Sequence, residues 1–228
     1  MAADTRDRLL AAAEQLFAEK GVDGVSLREI SRASGAKNAI ALQYHFEDRA
    51  GVLRAILDKH LPDVDARRSA MLDEIDAGGT DAARTQGADV RGLAAALVRP
   101  FAAKLADPEG GPEFLQIYAD LVNRPTPLIA TVAGRIDSLE RWRDRVEPLL
   151  AEDAARLHRR FTAILHTLLE LSRRARSGPH ADNRLFTSYL VDVVTAILAA
   201  PVSDETRRLA GERDLARSRQ APKRQSRA

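Results

Sequence analysis

The chain has 228 residues, 24.9 kDa, with 45% hydrophobic and 30% charged residues. That is a globular composition with room for a sizeable core, and it excludes wholesale disorder. The absence of cysteine excludes a disulfide scaffold, a thiol nucleophile, an iron–sulfur centre and a Cys-based zinc site. The net charge of +2 is uneven. Residues 1–60 carry nine basic and nine acidic side chains, residues 204–228 eight against four, and residues 61–203 a net of −2. The N-terminus is charged by Asp4, so it does not read as a secretory leader. The longest apolar stretch, 189–202, is broken by Asp192 and falls short of the roughly 20 residues a membrane span needs. The expectation is a cytoplasmic protein.

Apolar residues recur at helical spacing almost everywhere, and no segment alternates like a strand. A first helix is expected over 5–20, with Leu9, Leu10, Ala13, Leu16 and Phe17 on one stripe, Asp4 or Thr5 as cap, and Gly21 as the left-handed terminator. Ser26-Leu27-Arg28-Glu29 has the spacing of a capping box, and Val25 and Ile30 that of a hydrophobic staple. The helix they start stops near Ser34-Gly35. A third short helix runs from an Asn38 cap to Tyr44. Asp48 caps a longer one with Val52, Leu53, Ile56 and Leu57 on one side, kinked at Pro62 and continuing towards Ile75. Residues 77–90, with three glycines, read as a loop. Further helices are expected over 92–105, 113–123, 128–147, 152–176 and 182–200. The last 25 residues lack an apolar stripe and read as a basic, largely disordered tail.

Three short helices in about 45 residues, the last two joined by a tight Gly-containing turn, suggest a helix-turn-helix, whose last helix enters the major groove of DNA. Asn38, Gln43, Tyr44 and His45 offer donors and acceptors, and Asn or Gln can pair with adenine through two hydrogen bonds. Arg28 and Arg49 lie beside helix N-termini, which favour phosphate. Leu42 and Phe46 point inward.

On Phe17, Gly21, Ser26 to Ile30, Ser34-Gly35, Tyr44-His45-Phe46, Arg49 and Leu53, the chain resembles the TetR/AcrR family of one-component transcriptional regulators. The likeness covers about a quarter of the sequence. It departs from the commonest pattern by one extra residue between Gly35 and Phe46, placed at Ala36 or Lys37. The resemblance implies an all-α protein. A helix-turn-helix domain over 1–60 is followed by a helical regulatory and dimerisation domain over 61–203 and the tail over 204–228. It also implies DNA contacts from Ser26, Arg28, Lys37, Asn38, Ala39, Gln43, Tyr44, His45 and Arg49. The partners it implies are double-stranded DNA, a small-molecule effector, and a second copy of the chain docked through the last two long helices.

Leu97, Phe101, Phe114, Tyr118 and Trp142 are candidates to line an effector pocket; the alternative is a filled core. No HExxH, Gly-x-Ser-x-Gly or Gly-Lys-Ser/Thr motif occurs, and the five histidines are scattered. No catalytic residue, metal ligand or cofactor is expected. The reading is a ligand-released dimeric repressor. A DNA-binding regulator without effector, or a helical enzyme or interaction module, is the alternative.

Overall fold

The computed structural model describes residues 2–35, 41–77, 86–124, 136–150 and 158–220. Among them every regular element is helical. Helix α1 spans Ala2–Lys20, α2 Leu27–Ala33, α3 Ala41–Phe46 and α4 Arg49–Ala77. Helix α5 spans Gln86–Ala102 and tightens into a 3-10 turn at Ala103–Ala106. Helix α6 spans Gly111–Val122 and α7 Asp137–Val146, followed by a 3-10 turn at Glu147–Leu149. Helices α8, α9 and α10 span Arg159–Arg176, Arg184–Ala199 and Asp204–Gln220.

The local signals act as their chemistry dictates. Gly21 takes a φ of 79° and Gly35 one of 66°, the left-handed turns that end α1 and α2. Asp48 Oδ1 accepts the Gly51 N–H at 2.7 Å and so caps α4. Pro62 removes one ladder hydrogen bond, yet α4 runs unbroken through it, 29 residues in all. That helix is the beam of the molecule. It packs on α1, α3, α5, α6 and α7. Helix α8 packs mainly on α6, and α9 mainly on α5. One continuous core runs from Leu9, Phe17, Ile30, Leu42 and Phe46 through Leu57, Leu72, Leu97, Phe114 and Trp142 to Leu171 and Val194. Each such side chain contributes roughly 1.5–3 kcal/mol on burial.

Three sequence expectations change. Helix α1 already begins at Ala2, so Asp4 and Thr5 lie within its first turns and do not cap it. The loop foreseen over 77–90 is shorter, because α5 already begins at Gln86. The tail is not disordered over its described part: Asp204–Gln220 is a helix. Polar capping and ion pairs hold it instead of an apolar stripe. Ser203 Oγ accepts the Thr206 N–H at 3.2 Å, Arg207 pairs with Asp204 and Arg208 with Glu212 at 2.6 Å each, and Ala210 is buried. No single helix among the described residues is long and apolar enough to cross a membrane. Lys37, Asn38 and Ala39, the extra turn residue, and residues 221–228 lie outside the described residues.

Candidate nucleic-acid interface

Helix α3 is six residues long and owes its place to two anchors, Leu42 and Phe46, both buried against α1 and α4. Four residues apart, they set one face inward. The opposite face must then carry Gln43 and Tyr44 outward. Gln43 is exposed, and Tyr44 is 82% exposed, its ring edge-on to His45 at 5.2 Å. His45 is half-buried. An amide, a phenol and an imidazole thus project from a short helix locked at both ends. That arrangement can present donors and acceptors to base edges and phosphates in a groove.

Helix α2 supports this face. Ser26 Oγ accepts the Glu29 N–H at 3.2 Å and donates to Glu29 Oε2 at 2.9 Å, and that carboxylate accepts the Ser26 N–H at 2.8 Å. The Ser26 backbone bond, then its hydroxyl, then Lys20 hold the Glu29 carboxyl at a pKa of about 2. Ser26 is therefore committed to the cap, and the start of α2 already holds an anion. The phosphate attraction expected there is offset, and only the exposed Arg28 side chain offers positive charge in that turn. Arg49 is also engaged. Its Nη2 donates to the Val25 carbonyl at 2.7 Å and its Nη1 lies 3.8 Å from Asp23, which ties the start of α4 to the α1–α2 loop.

The five candidate pocket residues come together in the body of the molecule. Leu97, Phe101, Phe114, Tyr118 and Trp142 are all buried. Phe101 stacks on Tyr118, and Tyr118 on Phe114, with centroids 5.5 Å apart in each pair. The Trp142 indole donates to the Leu93 carbonyl at 2.8 Å, so its partner is backbone. The ring series continues beyond the residues foreseen. Phe114 stacks on His60 at 4.7 Å, and His60 Nε2 lies 2.9 Å from Glu14 Oε1 on α1. Lys59 donates to both oxygens of that buried carboxylate at 3.1 and 2.9 Å. At the other end the Arg68 guanidinium covers Phe101 at 5.3 Å. Glu14, His60 and Arg68 escaped sequence reasoning, although each carries a readable signal. All three are polar residues within apolar helical stripes, as Arg68 is between Val64 and Leu72.

Helices α2 and α3, joined by the Gly35 turn and anchored by Ile30, Leu42 and Phe46, have the arrangement of a helix-turn-helix with the α3 face exposed. Residues 9–56 match the sequence model for bacterial regulatory proteins of the tetR family. The HTH-type transcriptional repressor BepR of Brucella suis biovar 1 (strain 1330) is 40% identical over 58 residues, which are 25% of this chain and 27% of that protein. The match thus spans about a quarter of the relative's length. Two solved structures share the fold. One is NalD, the secondary repressor of the MexAB-OprM multidrug efflux pump in Pseudomonas aeruginosa. It has a TM-score of 0.50 at 21% identity over 83% of this chain and 93% of that one. The other is a SmeT–triclosan complex, with a TM-score of 0.51 at 22% identity over 89% and 93%. Residues 9–56 thus carry an N-terminal domain of the tetR regulatory type, and the chain as a whole shares the fold of those two structures.

Proposed function

We propose that the protein is a repressor that binds a palindromic operator as a homodimer and is released by a small, largely apolar effector. The observation that carries this reading is the α3 face, Gln43 and Tyr44 outward over Leu42 and Phe46, connected through helix α4 to the rest of the helical body. The relative's name as a repressor supports repression over activation. The name of the SmeT–triclosan complex supports a small molecule in the body.

Dimerisation rests on exposed apolar surface. Among the described residues, Phe161 and Leu169 on α8, Leu185 and Tyr189 on α9, and Leu209 and Leu215 on α10 are large exposed hydrophobics. Away from these helices only Tyr44 compares. Phe161 and Leu169 share one face of α8, and Leu185 and Tyr189 one face of α9. Two such pairs across a twofold axis form a four-helix interface.

The effector site is assigned to the cluster of Leu97, Phe101, Phe114, Tyr118 and Trp142. Its rings are packed on one another, so an entering effector displaces them. The stack ends at His60 and Glu14, and Glu14 belongs to α1 of the DNA-binding unit. A shift of the rings therefore moves a contact that positions α1 against α4. DNA contacts are assigned to Arg28, Gln43, Tyr44, His45 and Arg49, with Lys37, Asn38 and Ala39 in the segment before α3. The test is electrophoretic retardation of the gene's own upstream region, with and without candidate effectors. Retention by the unaltered chain and loss with Tyr44→Ala are expected. Equal retention of unrelated DNA by both proteins contradicts the reading.

A further inference from the structure

Helix α4 places a cation inside its buried stripe. Leu61, Val64 and Leu72 are buried, and Arg68 shares their face at 1% exposure. A guanidinium carries five N–H donors and no acceptor. Here Nη1 donates to Ser138 Oγ at 3.1 Å, while Nε and Nη2 are buried without a hydrogen-bond partner among the described residues. The carboxylate that offsets its charge is that of Asp65, and Asp65 Oδ1 is taken by the Ser138 backbone N–H at 3.0 Å. Arg143 on α7 stands within electrostatic reach of both Arg68 and Tyr118, so the neighbourhood holds two guanidiniums. Burial, eased by Tyr118 and Asp65 and reinforced by Arg143, draws the Arg68 pKa down to about 10; the group is still a cation at neutral pH. Arg143 also lines a surface cleft of about 120 Å³ with His158, Arg160, Phe161 and Ile164, where Arg160 pairs with Glu147. Arg143 is thus common to a basic and apolar cleft and to the electrostatic surroundings of Arg68.

Unpaired donors on a buried charge are costly to a fold. Nε–H and Nη2–H form one edge of the guanidinium, the edge that a carboxylate grips with two parallel hydrogen bonds. We propose that Arg68 is the anchor of the effector site and that the effector is an amphipathic monoanion, its carboxylate on the Nε–Nη2 edge and its apolar body against Phe101 and Tyr118. This assignment rests on the effector-responsive reading above and names the chemistry of that site.

The test uses the full chain without DNA and two probes of equal length, octanoate and its neutral counterpart octanamide. Melting temperature and Trp142 emission are read. Trp142 is the only tryptophan and lies one turn beyond Ser138 on α7. Octanoate is expected to raise the melting temperature and change the emission saturably, with octanamide at least tenfold weaker. Arg68→Met, an apolar chain in place of the unpaired cation, is expected to melt higher than the unaltered protein and to lose the preference for octanoate. Arg68→Lys, which keeps the charge without the two-pronged edge, is expected to retain only part of it. No response to octanoate, equal response to both probes, or an unchanged preference in Arg68→Met each overturns the assignment. Retardation of the upstream DNA is measured separately. Octanoate that binds through Arg68 yet leaves the DNA complex intact contradicts effector-driven release and leaves the anchor standing.

Discussion

Glu29 is a carboxylate whose hydrogen bonds from Ser26 and Lys20 outweigh its desolvation and favour its charge, so its titration reports the capping box directly. Its folded pKa of about 2 lies below the ordinary value of 4.5. The stability it contributes is therefore fully present above about pH 4.5 and is lost as pH falls towards 2. Carboxyl chemical shifts followed through an acid titration should place its midpoint near 2, and Ser26→Ala should move it back towards 4.5 while costing about 1 kcal/mol of helix stability. Gln43 and His45 should differ in kind. Gln43→Ala should cost roughly 1–3 kcal/mol on the preferred site and relax one base position in a selected-sequence profile. His45→Ala should weaken all sequences by a similar factor, because phosphates carry no sequence. An unchanged profile for Gln43→Ala removes it from base reading. The capping box is legible in sequence because its partners stand three residues apart. Arg49 shows the limit of that legibility. Its bond to the Val25 carbonyl joins positions 24 residues apart and depends on how the α1–α2 loop folds. Arg49→Ala should therefore lower the melting temperature as well as DNA affinity.

At the scale of the element, α3 and α10 are held by opposite means. Helix α3 is too short to stand alone and is fixed by tertiary burial of Leu42 and Phe46. Phe46→Ala should cost about 3–5 kcal/mol and abolish DNA retention together with the fold of the N-terminal unit. Helix α10 rests on its Ser203 cap and on exposed ion pairs, Arg207 with Asp204 and Arg208 with Glu212. Exposed pairs contribute little and are screened by salt. Hydrogen exchange should find the α10 amides opening before those of α5 or α6, and earlier still at high salt or in Ser203→Ala. Equal protection throughout contradicts this account. The same contrast explains what the sequence makes visible. Stripes such as Leu9, Ala13 and Phe17 announce a helix because apolar periodicity is their cause. Helix α10 has no such stripe, and only its Ser203-Asp204-Glu205 start and the i,i+3 and i,i+4 charge spacing foretell it.

In the whole molecule the account requires two couplings, one between copies and one between ends. Leu185 and Tyr189 are 84% and 66% exposed on one face of α9. A double change of both to Asp should convert the dimer to a monomer in sedimentation and weaken operator binding; an unaltered dimer places the interface elsewhere. The stack from Arg68 through Phe101, Tyr118, Phe114 and His60 to Glu14 joins the body to α1. His60→Leu should reduce the factor by which an effector lowers DNA affinity while leaving effector binding in place, a coupling that is typically 1–3 kcal/mol. The all-helical class and the N-terminal unit were readable from periodicity and spacing. The contact series from Arg68 to Glu14 was not, because its members come from α1, α4, α5 and α6 and meet only after folding, even though Glu14, His60 and Arg68 each stand out singly within an apolar stripe. The central claim is that two copies present their α3 helices to DNA at once, and hydroxyl-radical footprinting of the gene's upstream region tests it most directly. The account predicts two protected, inversely repeated half-sites with centres one helical turn apart, about 34–36 Å, or a multiple of it. A single protected half-site, or uniform protection without sequence preference, would contradict it.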